Sequence, residues 1–382
     1  RSRFRQIRTA FHPEDVVAGA AGDKCYQIRY AINSLNMASK RNFKPGHAVA
    51  FDEGGIGMRS RLCPVRQYNK DKPNKFRVDF VILADSETYY IVHIDVYQGK
   101  NSSNSYVDES IWSLPTTQKA VINAVIQSGI ALDPEGARLI ALDNRYQCPE
   151  LALLLKTRYG LNSVGTCRKN RKGWDATLLN LTENAPRGTI KMTYDRTNDV
   201  MAVQWKDSKI CNFVSTLGLT SIEIAERQSG SDRLEVRCPS IVAVYNRTMF
   251  GVDKGDQIRV TGGGFSQKAH FKKWYKKCYL AVLDCMLLNA YIAWNISAVD
   301  PRCRPEGRMT LLRHEFFWII AQSMLDFVDP QGDVALPTAR LFEQDTVVGG
   351  EGDIEGNNKD GAHTATTVPN EVTKPWCVVC RL

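Results

Sequence analysis

The stretch RLIALDNRYQCPELALLLKTRYGLNSVGT, residues 138–166, decides the fold. Arg138 to Leu142 is a short apolar run of strand length that delivers Asp143 at its C-terminal end. Pro149 stands where a helix begins, a position that tolerates its missing N–H. Glu150 to Arg158 carries the helix, and Gly160 stops it. Ser163-Val164-Gly165-Thr166 reads as the next strand. A helical crossover between two strands makes them parallel.

Upstream, His47 to Phe51 predicts another strand, which runs into a turn at Asp52-Glu53-Gly54-Gly55. Phe76, Val78, Phe80 and Ile82 alternate with Arg77, Asp79 and Val81, a strand period. Asp85-Ser86-Glu87 is a turn, Tyr89 to Tyr97 a third strand, and Gln118 to Gln127 a helix ended near Gly129. The first three strands have short connections and are expected antiparallel; the later ones need crossovers and are expected parallel. This order is the plan of a ribonuclease-H-like α/β core.

The texture then changes. Ile190 to Tyr194, Met201 to Trp205 and Ile210 to Ser215 alternate with polar residues and predict a small antiparallel β insertion. Helical spacing returns at Val244 and dominates from Ser266 to Ser297, where Trp274, Cys278, Ala281, Cys285, Leu288 and Ile292 recur. A further helix is expected over Leu311 to Val328. The resulting organisation is a helical N-terminal segment (1–45) and the first part of the core (46–167). A β-rich insertion (168–240) leads to the rest of the core with C-terminal helices (241–342). A linker expected to be disordered (343–374) and the start of an incomplete Cys-rich domain (375–382) complete it. The sequence holds no internal repeat.

Composition sets outer limits. The chain of 382 residues is 43% hydrophobic and 24% charged, enough for a sizeable core in two or three domains. Its net charge is +9, yet from Glu343 onward seven acids face three bases, so the rest carries +13. Such a basic body suits a polyanionic partner, although many proteins without one are as basic. The eleven cysteines are scattered, with one C-x-x-C pair, Cys377 and Cys380, which fits reduced thiols better than a disulfide framework. The most apolar stretch, Tyr279 to Trp294, is interrupted by Asp284 and Asn289, so no membrane span is expected. The opening Arg-Ser-Arg-Phe has no signal-peptide core and no initiator Met, so a fragment or internal domain is expected.

Four acids stand out by position. Asp52 and Asp143 each follow an apolar strand, and Asp253 and Asp256 lie three apart on one face of a helix. Carboxylates converging from strand ends and a helix suit a pair of Mg²⁺ ions, which take oxygen ligands. The bland alternatives stay open on spacing alone: Asp143 as a helix cap, Asp253 and Asp256 as a solvated face beside Lys254. Two basic stretches accompany them. Arg59, Arg61, Arg66, Lys70, Lys72, Lys75 and Arg77 stand against one acid, Asp71, and read as a phosphate grip or a solvated hairpin. Lys268 to Lys277 interleaves Lys272 and Lys273 with Phe271, Trp274 and Tyr275, a mixture suited to distorted or single-stranded ends.

Three segments carry a family resemblance. HAVAFDEGGIGMRSR (residues 47–61) is similar to the region around the first catalytic aspartate of piggyBac transposases, and CPVRQYNKDKPNKF (63–76) continues it. LDNRY (142–146) resembles the second aspartate segment, and YNRTMFGVDKGDQ (245–257) the third, the most specific of them. The resemblance covers about residues 1–328. It implies a DDE-type cut-and-paste transposase acting on double-stranded DNA at TTAA through hairpin intermediates. It implies Asp52, Asp143 and Asp253 as the catalytic triad, with Asp256 near the same two Mg²⁺ or Mn²⁺ ions. Arg59, Arg61, Arg66, Lys70, Lys72, Lys75, Lys272 and Lys273 would contact DNA, and Trp274 would support the bent end. A homodimer in the nucleus is implied, with no membrane and no small-molecule substrate, and residues 1–45 would belong to a truncated DNA-binding or dimerisation region. Cys377 and Cys380 resemble the opening of a zinc-binding domain; a closed site needs four ligands, so zinc is expected only with a complete domain. The sequence departs from the family at Arg145, where an aromatic Trp is usual, at Phe250, and at Arg77-Val78-Asp79. Those departures leave two further readings: a domesticated DNA-binding protein that no longer cuts, and a nuclease without strand transfer.

Overall fold

The computed structural model describes residues 22–99, 114–131, 138–229, 231–261, 264–268, 271–300 and 309–326. The readings for 1–21, for the linker 343–374 and for Cys377 and Cys380 lie outside the described residues. The chain divides into two units, the second being Leu311–Lys374, which contains helix Arg313–Asp326.

Among the described residues of the larger unit nine strands make one mixed sheet. The first half is α1 (Tyr26–Asn42), β1 (Ala48–Gly57), β2 (Gln67–Tyr68), β3 (Phe76–Asp85) and β4 (Ile91–Val96). Then come α2 (Thr116–Ser128), β5 (Leu139–Leu142), α3 (Pro149–Tyr159) and β6 (Asn162–Thr166). β1 pairs antiparallel with β3, β3 with β4, while β5 lies parallel to β1 and to β6. These directions are the expected ones, and the mixed α/β architecture is the ribonuclease-H-like plan. Gly129 (φ 78°) and Gly160 (φ 65°) end α2 and α3 in the left-handed region that glycine adopts without strain.

β7 (Ile190–Asp195), β8 (Val200–Lys206) and β9 (Ile210–Ser215) form the expected antiparallel set. They extend the main sheet, because β9 pairs antiparallel with β6. β10 (Ile222–Ser229) and β11 (Asp232–Pro239) form a separate two-stranded ribbon, tied to β8 by the Trp205 indole N–H on the Arg237 carbonyl at 2.7 Å. Helices α4 (Ser240–Thr248), α5 (Gly251–Val260), α6 (Phe265–Lys268) and α7 (Trp274–Val299) follow.

Two apolar layers sandwich the sheet's first half. One joins α1, α7 and one face of β1, β3 and β4, with Ile28, Ile32, Ala50, Phe80, Ile82 and Leu288 at its centre. The other joins the opposite face to α2 and α3 through Phe51, Leu83, Val125, Leu142 and Leu151. Among the described residues, α7 alone is long and apolar enough to cross a membrane by length and composition. Its buried face packs in the first layer, and its polar interruptions are used internally. Asp284 accepts from Phe265 and Ser266, and Asn289 both donates to and accepts from the backbone of Ile91. Asn36 does the same at Ile94. Two asparagines thus occupy the free edge of β4 as a further strand would. The two bonded residues are three apart because the β3–β4 register shifts between Leu83 and Ala84.

Candidate active site

Asp52 and Asp143 are neighbours by register. The last parallel pair of β1 and β5 is Phe51↔Leu142, so the two aspartates are the next residues on adjacent strands. Ala50 and Ala141 are paired, and strand alternation puts Asp52 and Asp143 on that same face. The Glu53 N–H donates to Asp52 Oδ1 at 2.8 Å; the Asn144 N–H donates to Asp143 Oδ1 at 2.5 Å, and Thr166 Oγ1 at 3.2 Å. Asp253 comes from above, in the first turn of α5. That helix approaches closely because Gly251 has no side chain: a Cβ there would lie 3.0 Å from the Asp85 carbonyl and 3.2 Å from Ala50 Cβ. Ser86 Oγ, donating to the Thr248 carbonyl at 2.7 Å, fastens the preceding helix to the β3–β4 turn.

The electrostatics agree with the register. Burial, then Glu53, Asp143 and Asp253 push the Asp52 carboxyl up to about 7, against a smaller opposing effect of the Glu53 N–H. Tyr245 is raised to about 12 by burial, with Asp143, Asp52 and Asp253 adding to it, and it bonds Thr166. Its phenol is therefore near enough to feel all three acids, a placement that no spacing in the sequence announces. The donors are all oxygen, the set Mg²⁺ or Mn²⁺ takes. Among the described residues no three His, Cys, Asp or Glu side chains are gathered closely enough to hold a metal ion as they stand. Three like charges favour separation, and an open oxygen site suits an ion that keeps water ligands.

One expectation is corrected. Asp52-Glu53-Gly54-Gly55 is no turn, since β1 continues to Gly57, paired with β3 throughout. Its glycines are there for packing. A Cβ on Gly54 would stand 2.6 Å from Ile82 Cδ1, and one on Gly55 2.8 Å from Arg77 Nη1. Arg77 is itself buried and paired with Asp79, so it does not belong with the solvent-facing cations of its run.

Glu53 points to the opposite face from Asp52. There it accepts from Arg145 Nη1 at 2.9 Å and from the Tyr146 hydroxyl, while the Arg145 guanidinium lies over Tyr97 at 5.3 Å. Asp256 is engaged by an arginine of its own helix. Its Oδ1 takes Arg259 Nε at 3.0 Å and Nη2 at 2.6 Å.

The two basic stretches meet. Arg59, Ser60, Lys75 and Phe76 line one side of a groove of about 500 Å³, and Gln267, Phe271, Trp274 and Lys277 the other. Arg59 and Lys277 are close enough that, after burial, Arg59 helps lower the Lys277 ammonium. Arg61, Lys70, Lys72, Lys272 and Lys273 are exposed, and Arg66 lies over the Phe76 ring at 4.7 Å. Trp274 is only 8% exposed, so it walls the groove more than it offers a stacking face. Sequence reading overlooked a third basic set, Arg168, Lys169, Arg171 and Lys172, in the loop after β6. Arg171 Nη2 donates to the Asn144 and Arg145 carbonyls at 3.1 and 2.5 Å, beside Asp143. Four cations in five residues after a strand whose neighbour ends in an acid were the available signal. The eight described cysteines are free thiols.

The chain belongs to the family described as transposase IS4, whose model matches residues 1–291. Within that family its likeness is to piggyBac proteins. It is 25% identical over 302 residues to the human piggyBac transposable element-derived protein 3, covering 76% of this chain and 47% of that protein. The human chimeric ERCC6-PGBD3 protein matches equally, with 26% of its length covered, so the chain spans about half or less of these curated relatives. The cryo-EM structure of the piggyBac transposase synaptic complex with hairpin DNA shares the fold. Its TM-score is 0.67 and its identity 22%, covering 86% of this chain and 64% of that one.

Proposed function

We propose that this chain is the catalytic core of a piggyBac-type DNA transposase that cleaves and joins DNA at TTAA by metal-dependent phosphoryl transfer. The observation that carries the reading is the trio itself: Asp52 and Asp143 side by side on adjacent parallel strands, with Asp143 and Asp253 both felt at the Asp52 carboxyl. These residues would hold two Mg²⁺ or Mn²⁺ ions. Divalent ions bound there supply charge stabilisation for the attacking and leaving oxygens of an in-line displacement. The Glu53 and Asn144 N–H groups and Thr166 fix the carboxylates, and a bound cation would favour the ionised form of Asp52. The groove of Arg59, Lys75 and Lys277 and the loop of Arg168, Lys169 and Lys172 hold phosphates on two flanks. A homodimer acting in the nucleus completes the proposal.

Arg145 favours a second reading. A guanidinium tied to Glu53, where an aromatic is usual, suits a descendant that binds DNA without cutting it. The two readings separate in an Mg²⁺- or Mn²⁺-dependent cleavage assay on terminal-repeat DNA flanked by TTAA. Metal-dependent nicks and hairpins, lost in Asp253→Ala, are the expected result. Binding without cleavage by the full-length protein would leave the second reading standing.

A further inference from the structure

Asp256 has a partner that the other acids lack. Arg259, 5% exposed, reaches Asp256 on its own helix, and its Nη1 lies 3.9 Å from Asp284 Oδ2 on α7. Asp284 has no solvent exposure. Its two oxygens are spent on the next segment: Oδ1 accepts from the Phe265 N–H at 2.7 Å, and Oδ2 from the Ser266 N–H at 3.0 Å and Oγ at 2.6 Å. Gly264 lets the chain come this near, since a Cβ there would be 2.8 Å from Asp284 Oδ2. The anchored residues open α6, and α6 carries Gln267 into the basic groove.

We infer that Asp256, Arg259 and Asp284 are positioning residues, a chain running from half-exposed Asp256 through buried Arg259 and Asp284 that fixes the groove wall of Gln267 and Phe271 to the helix bearing Asp253. The inference rests on the proposed function, because the groove's ligand is taken to be a DNA backbone. It gives Asp256 a different task from the trio. One carboxylate oxygen is committed to a guanidinium, and the residue's work is to set the distance between the cleaving acids and the bound phosphates. A buried charge is costly unless paired, so the chain acts as a unit: loosening one link leaves the next uncompensated. Effects at its two ends are therefore coupled.

The test measures Mn²⁺ binding by calorimetry and binding of a short fluorescent DNA duplex by anisotropy, on the full chain. Asp253→Ala is expected to lose Mn²⁺ affinity and keep duplex affinity. Asp256→Asn and Ser266→Ala are expected to do the reverse, keeping Mn²⁺ binding while duplex affinity falls about three- to tenfold, the scale of one net hydrogen bond. Ser266→Ala keeps every buried charge and so guards against simple unfolding of a variant. The double variant is expected to bind duplex no more weakly than the poorer single one. Additive losses, an Mn²⁺ defect in Asp256→Asn as deep as in Asp253→Ala, or unchanged duplex binding would each overturn the inference. A wild-type chain that binds no duplex fails the underlying reading and takes the inference with it.

Discussion

At the scale of single residues, Asp52 connects the site to stability. Its folded carboxyl titrates near 7, against about 4 in an unfolded chain. Between those values the folded state holds a proton that the unfolded state has released, so this residue's contribution to stability falls as pH rises through the window. In chelator, Asp52→Asn is therefore expected to match wild type near pH 4 and to exceed it at pH 8 by on the order of 3 kcal/mol. Thermal unfolding at the two pH values checks this; a variant less stable than wild type at pH 8 would contradict it. Glu53 predicts the opposite sign. Arg145→Ala leaves its carboxylate half-buried beside Tyr146 with its cation gone, and should lower stability by roughly 1–2 kcal/mol in urea melts. The places of the three aspartates on strands and helix were legible in the sequence because each follows an apolar run or opens a helix. Tyr245 and Arg259 were not, since what marks them is the company they meet in three dimensions.

At the scale of elements, the strands and helices with strong periodicity were legible nearly to their ends, with β3, α2, α3 and α7 the clearest. The failures have physical causes. Asp52 to Gly55 looks like a turn because Gly-Gly after an acid is good turn chemistry. The structure uses those glycines instead to admit Ile82 and Arg77 across the β1–β3 pair. The β10–β11 ribbon escaped notice because its apolar residues do not mark one buried face: Ile222 and Ile224 are exposed, and Glu226 stands directly opposite Glu235. Asn289 carries a prediction of its own. It satisfies the N–H and C=O of Ile91 from inside a buried helix, at 2.8 Å each. Asn289→Leu keeps the branching but leaves the Ile91 N–H unpaired, while Ser39 Oγ still donates to the Ile91 carbonyl, and should cost roughly 2 kcal/mol in denaturant unfolding. A loss under 1 kcal/mol would mean that β4 needs no cap at that edge.

At the scale of the whole molecule, the question is whether a body carrying +13 up to Phe342 attracts DNA diffusely or along a defined path. Salt dependence separates the two. Each phosphate contact released lowers the slope of log K against log salt by about 0.9 on B-form DNA. If the duplex runs through the groove and past the β6 loop, two sets of substitutions act alike. Arg59, Lys75 and Lys277 changed together to Ala should reduce the slope by about 2 to 3 units, and so should Arg168, Lys169 and Lys172. Arg233→Ala serves as the control: it lies on the β10–β11 ribbon, 77% exposed and paired with Glu226, and removes the same formal charge per residue. A diffuse field would make the control count as much, per charge, as either set. A defined path leaves it without effect, and only then does the position of Asp143, between the loop and the groove-bearing half of the sheet, make the two basic surfaces parts of one site.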